Sequence, residues 1–365
     1  MVSTPNTVAI QDSFWSPRLE LNATTALRHQ WEHLEASGCI ENFRIAAGQS
    51  DRLREGWFFA DSDAYKWLDA AARVYATGPS TELAARMDAF IALLAAAQMP
   101  DGYLFTYNQI HFPGIRWANL QIEHELYCHG HLIEAAVSHY RATGAQSLLN
   151  IATRAADLLV RDFLHAGFLQ SCGHEEIELA LVRLHGATGV MAYLDLAEAF
   201  VERRGRALAF PLHILQQQRS SQARSRIVQA QRETYLALHR SYEPHRLPPG
   251  NPAVEPPGAH NRWLASAVTG KYFQQHCPIR RQTTPVGHAV RFGYLQTAAA
   301  MLLRAGRGDV ALRRALERSW SHMVERRMYV TGGLGSLPAL EGFGRDYELD
   351  PEFAYAETCA ALARS

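Results

Sequence analysis

Apolar residues recur along most of the chain at the i, i+3, i+4, i+7 spacing of amphipathic helices, and turn signals divide these helices into pairs. A first helix between Ser62 and Gly78 ends in Tyr75-Ala76-Thr77-Gly78, and Ser80 or Thr81 caps a second that runs to about Gln98. The plan recurs from Gly130-His131-Leu132-Ile133-Glu134, through a turn at Ala142-Thr143-Gly144, to about Phe163. A third copy opens at Gly173-His174-Glu175-Glu176-Ile177-Glu178, turns at Ala187-Thr188-Gly189 and continues to about Arg203. In it Leu179, Val182 and Leu184 share a face that can meet Leu194 and Ala197 on the return helix. A fourth opens at Gly287-His288, turns at Arg304-Ala305-Gly306 and passes through Leu312 to Met328. Glycine just past the last helical turn is the expected stop signal.

Repeated helix pairs stack into a solenoid or close into a toroid. The links between these pairs are long and rich in aromatics, His and Gly, as from Asp101-Gly102-Tyr103 to Tyr127. Long links suit a toroid whose connections build a pocket, so an all-α toroid of helical hairpins is expected. Residues 203–262 break the pattern, with ten Arg against three Glu and no Asp, and six prolines between Pro244 and Pro257. That composition predicts an irregular insertion or surface excursion rather than a core element.

The balance of 36 basic and 36 acidic side chains argues against an extended nucleic-acid footprint. No run of 18 apolar residues predicts a membrane span, and the N-terminus lacks a basic start followed by an apolar core. A soluble, cytoplasmic protein is the expectation. Five scattered cysteines (Cys39, Cys128, Cys172, Cys277 and Cys359) never form CxxC, which excludes a disulfide framework and a zinc ribbon. The first four read as small buried hydrophobes.

The densest chemistry lies near the end. From Glu341 to Glu357 six carboxylates face one base, Arg345, with Phe343, Tyr347, Phe353 and Tyr355 interleaved. An acidic run is ordinarily a solvated loop, but these aromatics give it an apolar payload to bury. Glu357 and Cys359 set a hard and a soft donor side by side, which zinc accepts. Residues two apart diverge on a helix, so the pair converges only where the chain is not yet helical; Thr358 as N-cap would satisfy that condition. A cysteine at a helix N-terminus is expected to have a lowered pKa. Two donors are half a zinc site. His124, His129 and His131 lie close together, and Gly-His opens the first helix of three pairs at His131, His174 and His288, so imidazoles from several hairpins can meet at one rim. For any single histidine a satisfied structural role competes with that reading. His124-Glu125-Leu126-Tyr127-Cys128 fails the HExxH test, and neither a nucleophile elbow nor a P-loop is present. Asp61-Ser62-Asp63, after Trp57, Phe58 and Phe59, either caps a helix or sets carboxylates beside aromatic rings, the combination that sugar hydroxyls and ring faces need.

Taken together, several ordered motifs resemble glycoside hydrolase family 127, the β-L-arabinofuranosidase family. They are Phe14-Trp15-Ser16-Pro17-Arg18, Asp61-Ser62-Asp63-Ala64-Tyr65-Lys66-Trp67, Gln98 with Asp101-Gly102-Tyr103-Leu104, His124-Glu125-Leu126-Tyr127, and Gly173-His174-Glu175-Glu176-Ile177-Glu178-Leu179-Ala180. Gly287-His288-Ala289-Val290-Arg291, the Glu341 block and Glu357-Thr358-Cys359 complete the set, which spans the chain except residues 203–262. The resemblance implies a retaining glycosidase on an (α/α)6 barrel, with a cysteine thiolate as nucleophile held on zinc by a Glu, that Cys and two further Cys. By resemblance Glu341 is the general acid/base, and Glu357 and Cys359 are two of the zinc ligands. His124, His174 and His288 bind sugar hydroxyls, with Asp61 and Asp63 doing likewise. A carbohydrate substrate is implied, and a homodimer allowed.

The family's nucleophile and fourth zinc ligand belong to a Cys-Cys pair well downstream of the Glu-x-Cys motif, and the sequence stops at Ser365, six residues after Cys359. Residues 1–365 are therefore expected to be the N-terminal part of the barrel domain, without its last helices and the family's β-sandwich region. Asp350-Pro351 also stands where the family has Pro-Asn. The expectation is two of four zinc ligands and no turnover by this polypeptide alone. Two other readings stay open: a non-catalytic sugar-binding toroid, and a metal-free sugar epimerase or lyase.

Overall fold

The computed structural model describes residues 10–244 and 258–363. The N-terminal region forms α1 (Trp15–Leu21), a single π turn, α2 (Leu27–Ala36) and α3 (Cys39–Ala46). Hairpins follow: α4 (Ala60–Thr77) with α5 (Thr81–Ala97), then the short α6 (Thr106–His111), then α7 (Glu125–Thr143) with α8 (Ser147–Phe163). Next come α9 (Ile177–Thr188) with α10 (Met191–Arg203), α11 (Phe210–Leu238) and α12 (Ala259–Val268). A last hairpin, α13 (Ala289–Arg304) with α14 (Val310–Arg326), precedes the five-residue α15 (Thr358–Leu362). The described residues hold no strand, only three isolated bridges. No helix among them is long and apolar enough to cross a membrane.

The four hairpins stand where the apolar periodicity puts them, and their ends have ordinary physical causes. Ser80 and Asp309 accept hydrogen bonds from Leu83 N and Leu312 N, so α5 and α14 start with capped amides. Gly144 and Gly189, at φ 74° and 75°, end α7 and α9 in the left-handed region. The first helices α4, α7, α9 and α13 pack side by side in that order as an inner row. Their apolar faces join one core in which Tyr65, Leu68, Leu132, Ile133, Leu181 and Leu295 are fully buried. The fold is all-α, an arc of helical hairpins of the α/α-barrel kind.

One link is drawn in by a glycine. A Cβ at Gly173 would sit 2.0 Å from the Gln121 carbonyl oxygen, so only glycine lets the 171–176 segment touch the 119–123 turn. Gly173 N donates to Leu120 O at that crossing (2.9 Å).

The expected irregular insertion at 203–262 is corrected by the structure. Arg203 ends α10, and 29 of the following residues form α11, with Pro211 in its first turn. Its buried residues Phe210, Ile214, Gln217, Ser221 and Arg224 are spaced four and three apart, so they line one face. That face is mostly polar and is satisfied by hydrogen bonds to distant segments. Arg204 is also fully buried, between Glu175 (2.7 Å) and Glu178 (2.5 Å). The excess of arginine thus consists partly of buried ion-pair partners. The proline cluster expected to be irregular falls largely on 245–257, outside the described residues.

Candidate active site

Because the inner helices run parallel, their N-termini meet at one end of the arc, and three imidazoles meet with them. The His124 and His174 rings lie 5.1 Å apart between centroids, and His174 and His288 5.2 Å. His124 is the N-cap of α7, which starts at Glu125; His131, expected to open this helix, sits in its second turn instead. His174 precedes α9 by three residues, and His288 caps α13. Each ring is held in one tautomer by its backbone contact. His124 Nδ1 donates to Ile122 O (2.7 Å) and His174 Nδ1 to Glu175 O (3.1 Å), which leaves both Nε2 atoms as acceptors. His288 is the reverse: its Nδ1 accepts from Val290 N (3.2 Å), so Nε2 carries the proton. Burial, with the Arg291 charge second, pushes His124 down to about 3 and His174 well below its ordinary value. Burial likewise lowers His288, against the pull of Glu341. All three are neutral hydrogen-bonding groups near pH 7.

The His288 proton is donated to Glu341 Oε2 at 2.7 Å. Glu341 reaches it from a tight turn fastened to the start of α13: Ala289 N donates to Glu341 O, and Phe343 N to Gly287 O. Its backbone lies in the left-handed region at φ 47°, a conformation that this double fastening holds in place. Although it touches a buried histidine, the Glu341 side chain is 46% exposed, so its carboxylate faces open space. Burial raises its pKa, but the His288 hydrogen bond and the Arg291 charge outweigh burial and hold it below the ordinary carboxylate value.

Glu357 and Cys359 do converge. Glu357 is extended (φ −62°, ψ 137°) and is itself the N-cap residue of α15, while Thr358 is its first helical residue and not the cap. Tyr355 Oη donates to Glu357 Oε2 (2.8 Å), and the Glu357 carboxylate lies near enough to act on the Cys359 thiol. The expected lowering of the Cys359 pKa is overturned. Burial and the adjacent Glu357 charge push the thiol up to about 11, because a five-residue helix supplies too little dipole to compete. Glu357 lies near enough to the histidine cluster for its charge to act on His288. As a test of fit to zinc, one carboxylate and one thiol close together supply two compatible donors. Among the described residues no group of three or more His, Cys, Asp or Glu is arranged to hold a metal, so the fit extends to half of a tetrahedral set.

The two aspartates part company. Asp61 is fully buried, and its oxygens accept from Thr106 N (2.7 Å) and Thr106 Oγ1 (2.5 Å), which ties the start of α4 to α6. Asp63 is 53% exposed and lies 3.7 Å from Lys66 Nζ, which in turn sits 5.0 Å from the Tyr127 ring. Residues two apart on a helix point about 200° apart, so this helix can present only one of them to the histidine cluster.

Several groups escaped the sequence reading. Tyr127 packs edge-on or tilted against His131 and His174, both at 4.4 Å, and Tyr294 borders the same rings. Phe58 and Phe59, which the sequence set beside the aspartates, instead flank His124 at 5.2 and 5.5 Å. Arg291 lies buried on the Tyr272 ring (4.4 Å), and Tyr272 in turn meets His288. Arg291 had a signal, its place three residues after His288 on one helix face; Tyr294 had none beyond its aromatic character. Glu125, the acid of the failed HExxH motif, is buried and accepts from Tyr103 Oη and from Trp117 N (2.9 Å), which fastens the long 112–124 link to α7.

A family model described as "Beta-L-arabinofuranosidase, GH127 catalytic domain" matches residues 7–365. A non-reducing end β-L-arabinofuranosidase of Bifidobacterium longum subsp. longum is 34% identical over 384 aligned residues, covering 98% of this chain and 52% of the relative. Among solved structures, a GH127 β-L-arabinofuranosidase from Geobacillus stearothermophilus T6 superposes with a TM-score of 0.78 at 37% identity, over 98% of this chain and 51% of that one. A second GH127 β-arabinofuranosidase gives 0.75 at 31% identity, over 98% of this chain and 48% of that one. The chain thus spans about half the length of the relatives it matches. With the motifs, the helical arc and the match over nearly its whole length in agreement, the chain belongs to the GH127 β-L-arabinofuranosidase family.

Proposed function

We propose that this protein serves as part of a glycoside hydrolase acting on β-L-arabinofuranosides, with Glu341 as the proton-transfer group. The observation that carries the reading is the 2.7 Å contact between His288 and an accessible Glu341, beside two neutral histidines whose Nε2 atoms are acceptors. A furanose presents several hydroxyls and one apolar ring face. His124 and His174 would accept from hydroxyls, and Tyr127, Phe58 and Phe59 offer ring surfaces. Glu341 would give its proton to the glycosidic oxygen as a cysteine thiolate, which the family resemblance places outside the residues gathered here, displaces it at the anomeric carbon, and would then take one from the water that frees the sugar from that sulfur. A proton donor must first hold the proton, and free Glu341 is held as a carboxylate. A bound sugar that displaces water and competes for the His288 proton moves Glu341 upward, the direction the first step needs.

Glu357 and Cys359 would hold zinc, whose chemistry when bound is to keep thiols deprotonated at neutral pH. A tetrahedral site needs two more donors than the described residues bring together, and no two of the five cysteines are adjacent in sequence. We therefore infer that the 365-residue polypeptide assayed alone binds sugar and does not turn over. Purified protein supplied with zinc should leave an aryl β-L-arabinofuranoside intact yet show saturable binding of L-arabinose by calorimetry. Clear turnover would overturn the inference of inactivity; absence of binding would remove the sugar-site reading itself.

A further inference from the structure

We infer that Arg224 of α11 is a positioning residue for His124, acting through Glu123; this rests on reading His124 as a sugar-binding group. The guanidinium carbon lies over the Phe112 ring, 3.6 Å from its centroid, and Arg224 is only 7% exposed. Its Nε donates to Glu123 Oε1 (3.0 Å), and its Nη2 donates to Asn108 Oδ1. Glu123 is 2% exposed and also accepts from Asn119 Nδ2 (3.0 Å). It is the one charged side chain in the 118–123 turn. A buried carboxylate with a charge-assisted partner fixes position far more firmly than a solvated one, because moving it strands a charge in low dielectric.

What that turn fixes is the histidine that follows. Ile122 N and Glu123 N both bond to Asn119 O, so the turn is closed on itself. His124 then enters the left-handed region at φ 57°, a conformation that non-glycine residues hold only when their surroundings determine it. The carbonyl that sets its tautomer belongs to Ile122, inside the same turn. Ring orientation and proton placement at His124 are therefore inherited from the turn. α11 grips the turn at both ends: Gln217 donates to Ala118 O (3.0 Å) and accepts from Gln121 N (3.0 Å), and Arg224 holds Glu123. A helix outside the inner row thereby reaches the sugar site without touching it.

The test uses the full chain labelled with 15N-histidine, with His124 assigned through a His124→Gln variant. In the parent protein the His124 ring should show a protonated Nδ1 and a bare Nε2. Arg224→Gln should replace that signature by an exchanging mixture of tautomers and weaken L-arabinose binding by about tenfold. Arg224→Lys, which keeps the charge but cannot serve Glu123 and Asn108 together, should recover part of both. If the lone buried Glu123 prevents Arg224→Gln from folding, Glu123→Ala/Arg224→Ala removes both charges at once and should give the same His124 change. Arg232→Gln is the control, since it breaks another ion pair of the same helix, to Glu55, and should leave His124 as it was. A His124 signature unchanged in the Arg224 variants, or equally disturbed by Arg232→Gln, overturns the proposal. A parent protein that binds no L-arabinose while Arg224→Gln still releases His124 would sink the sugar reading and leave the positioning role standing.

Discussion

Two helices of this molecule press on the same turn by opposite means. α7 buries fourteen of its nineteen residues, among them Leu132, Ile133, Ala135 and Ala136, within the apolar core of the inner row. α11 buries five of twenty-nine, and three of those five are Gln217, Ser221 and Arg224. The first is held by area removed from water, a term that is large and indifferent to direction. The second is held by hydrogen bonds, each worth little net but costly to leave unmade and strict about geometry. Apolar packing therefore builds the arc, and polar docking adjusts the segment that carries His124.

At Arg204 the polar mode operates inside the core. Its guanidinium is fully buried and bridges Glu175 and Glu178, and Glu175 is pushed up to about 8 by burial even with this partner. Arg204→Met keeps the volume and removes the charge, which strands two carboxyl groups. We expect about 3–5 kcal/mol loss in urea unfolding at pH 7. The loss should shrink below pH 4.5, the ordinary Glu value, where the unfolded carboxyls are protonated too and staying neutral in the fold costs little. A loss under about 1 kcal/mol at pH 7 would mean that the buried network contributes nothing beyond packing.

Why the sequence revealed one mode and hid the other follows from these energies. α7, α9 and α13 announce themselves because apolar burial leaves a composition pattern at helical spacing, and Gly144 and Gly189 mark where it stops. α11 has the same regular spacing at Phe210, Ile214, Gln217, Ser221 and Arg224, but its seam is polar and looks like solvated surface. Its partners lie about a hundred residues away, at Ala118, Gln121 and Glu123, and hydrogen-bond pairs at that separation leave no local trace. That the His124, His174 and His288 rings could meet at one rim was legible from Gly-His and His-Glu at successive helix starts, and the structure brings them together, with Glu341 on His288. Asp61 and Asp63 have different surroundings, because adjacency in sequence is not adjacency on a helix. The Cys359 pKa misled because burial and a neighbouring carboxylate outweigh a short helix.

A smaller effect tests the docking face itself. Gln217→Ala removes the donor to Ala118 O and the acceptor of Gln121 N, both in a buried setting. We expect about 1–3 kcal/mol of destabilisation from the backbone groups left unpaired. Arg219→Ala, at an exposed position of the same helix, should stay within about 0.5 kcal/mol. If the two variants behave alike in chemical denaturation, α11 is not docked through its polar seam, and the contrast with α7 fails.

The smallest expected effect on stability is also the one closest to the chemistry. His288 does two things at once: Nδ1 caps α13 through Val290 N, and Nε2 donates to Glu341. His288→Asn keeps a side-chain acceptor suited to the cap and loses the reach to Glu341, so stability should change by less than about 1 kcal/mol. The Glu341 carboxyl should nonetheless respond. Burial pushes it up, and the His288 hydrogen bond is the first of the influences that pull it down. Without that bond the balance moves toward burial, and the pKa followed by carboxyl 13C chemical shift should rise. The sign matters because a raised Glu341 holds its proton to higher pH, as the proposed donor step requires. A Glu341 titration that does not move in His288→Asn would detach the histidine from proton transfer and leave it only the cap.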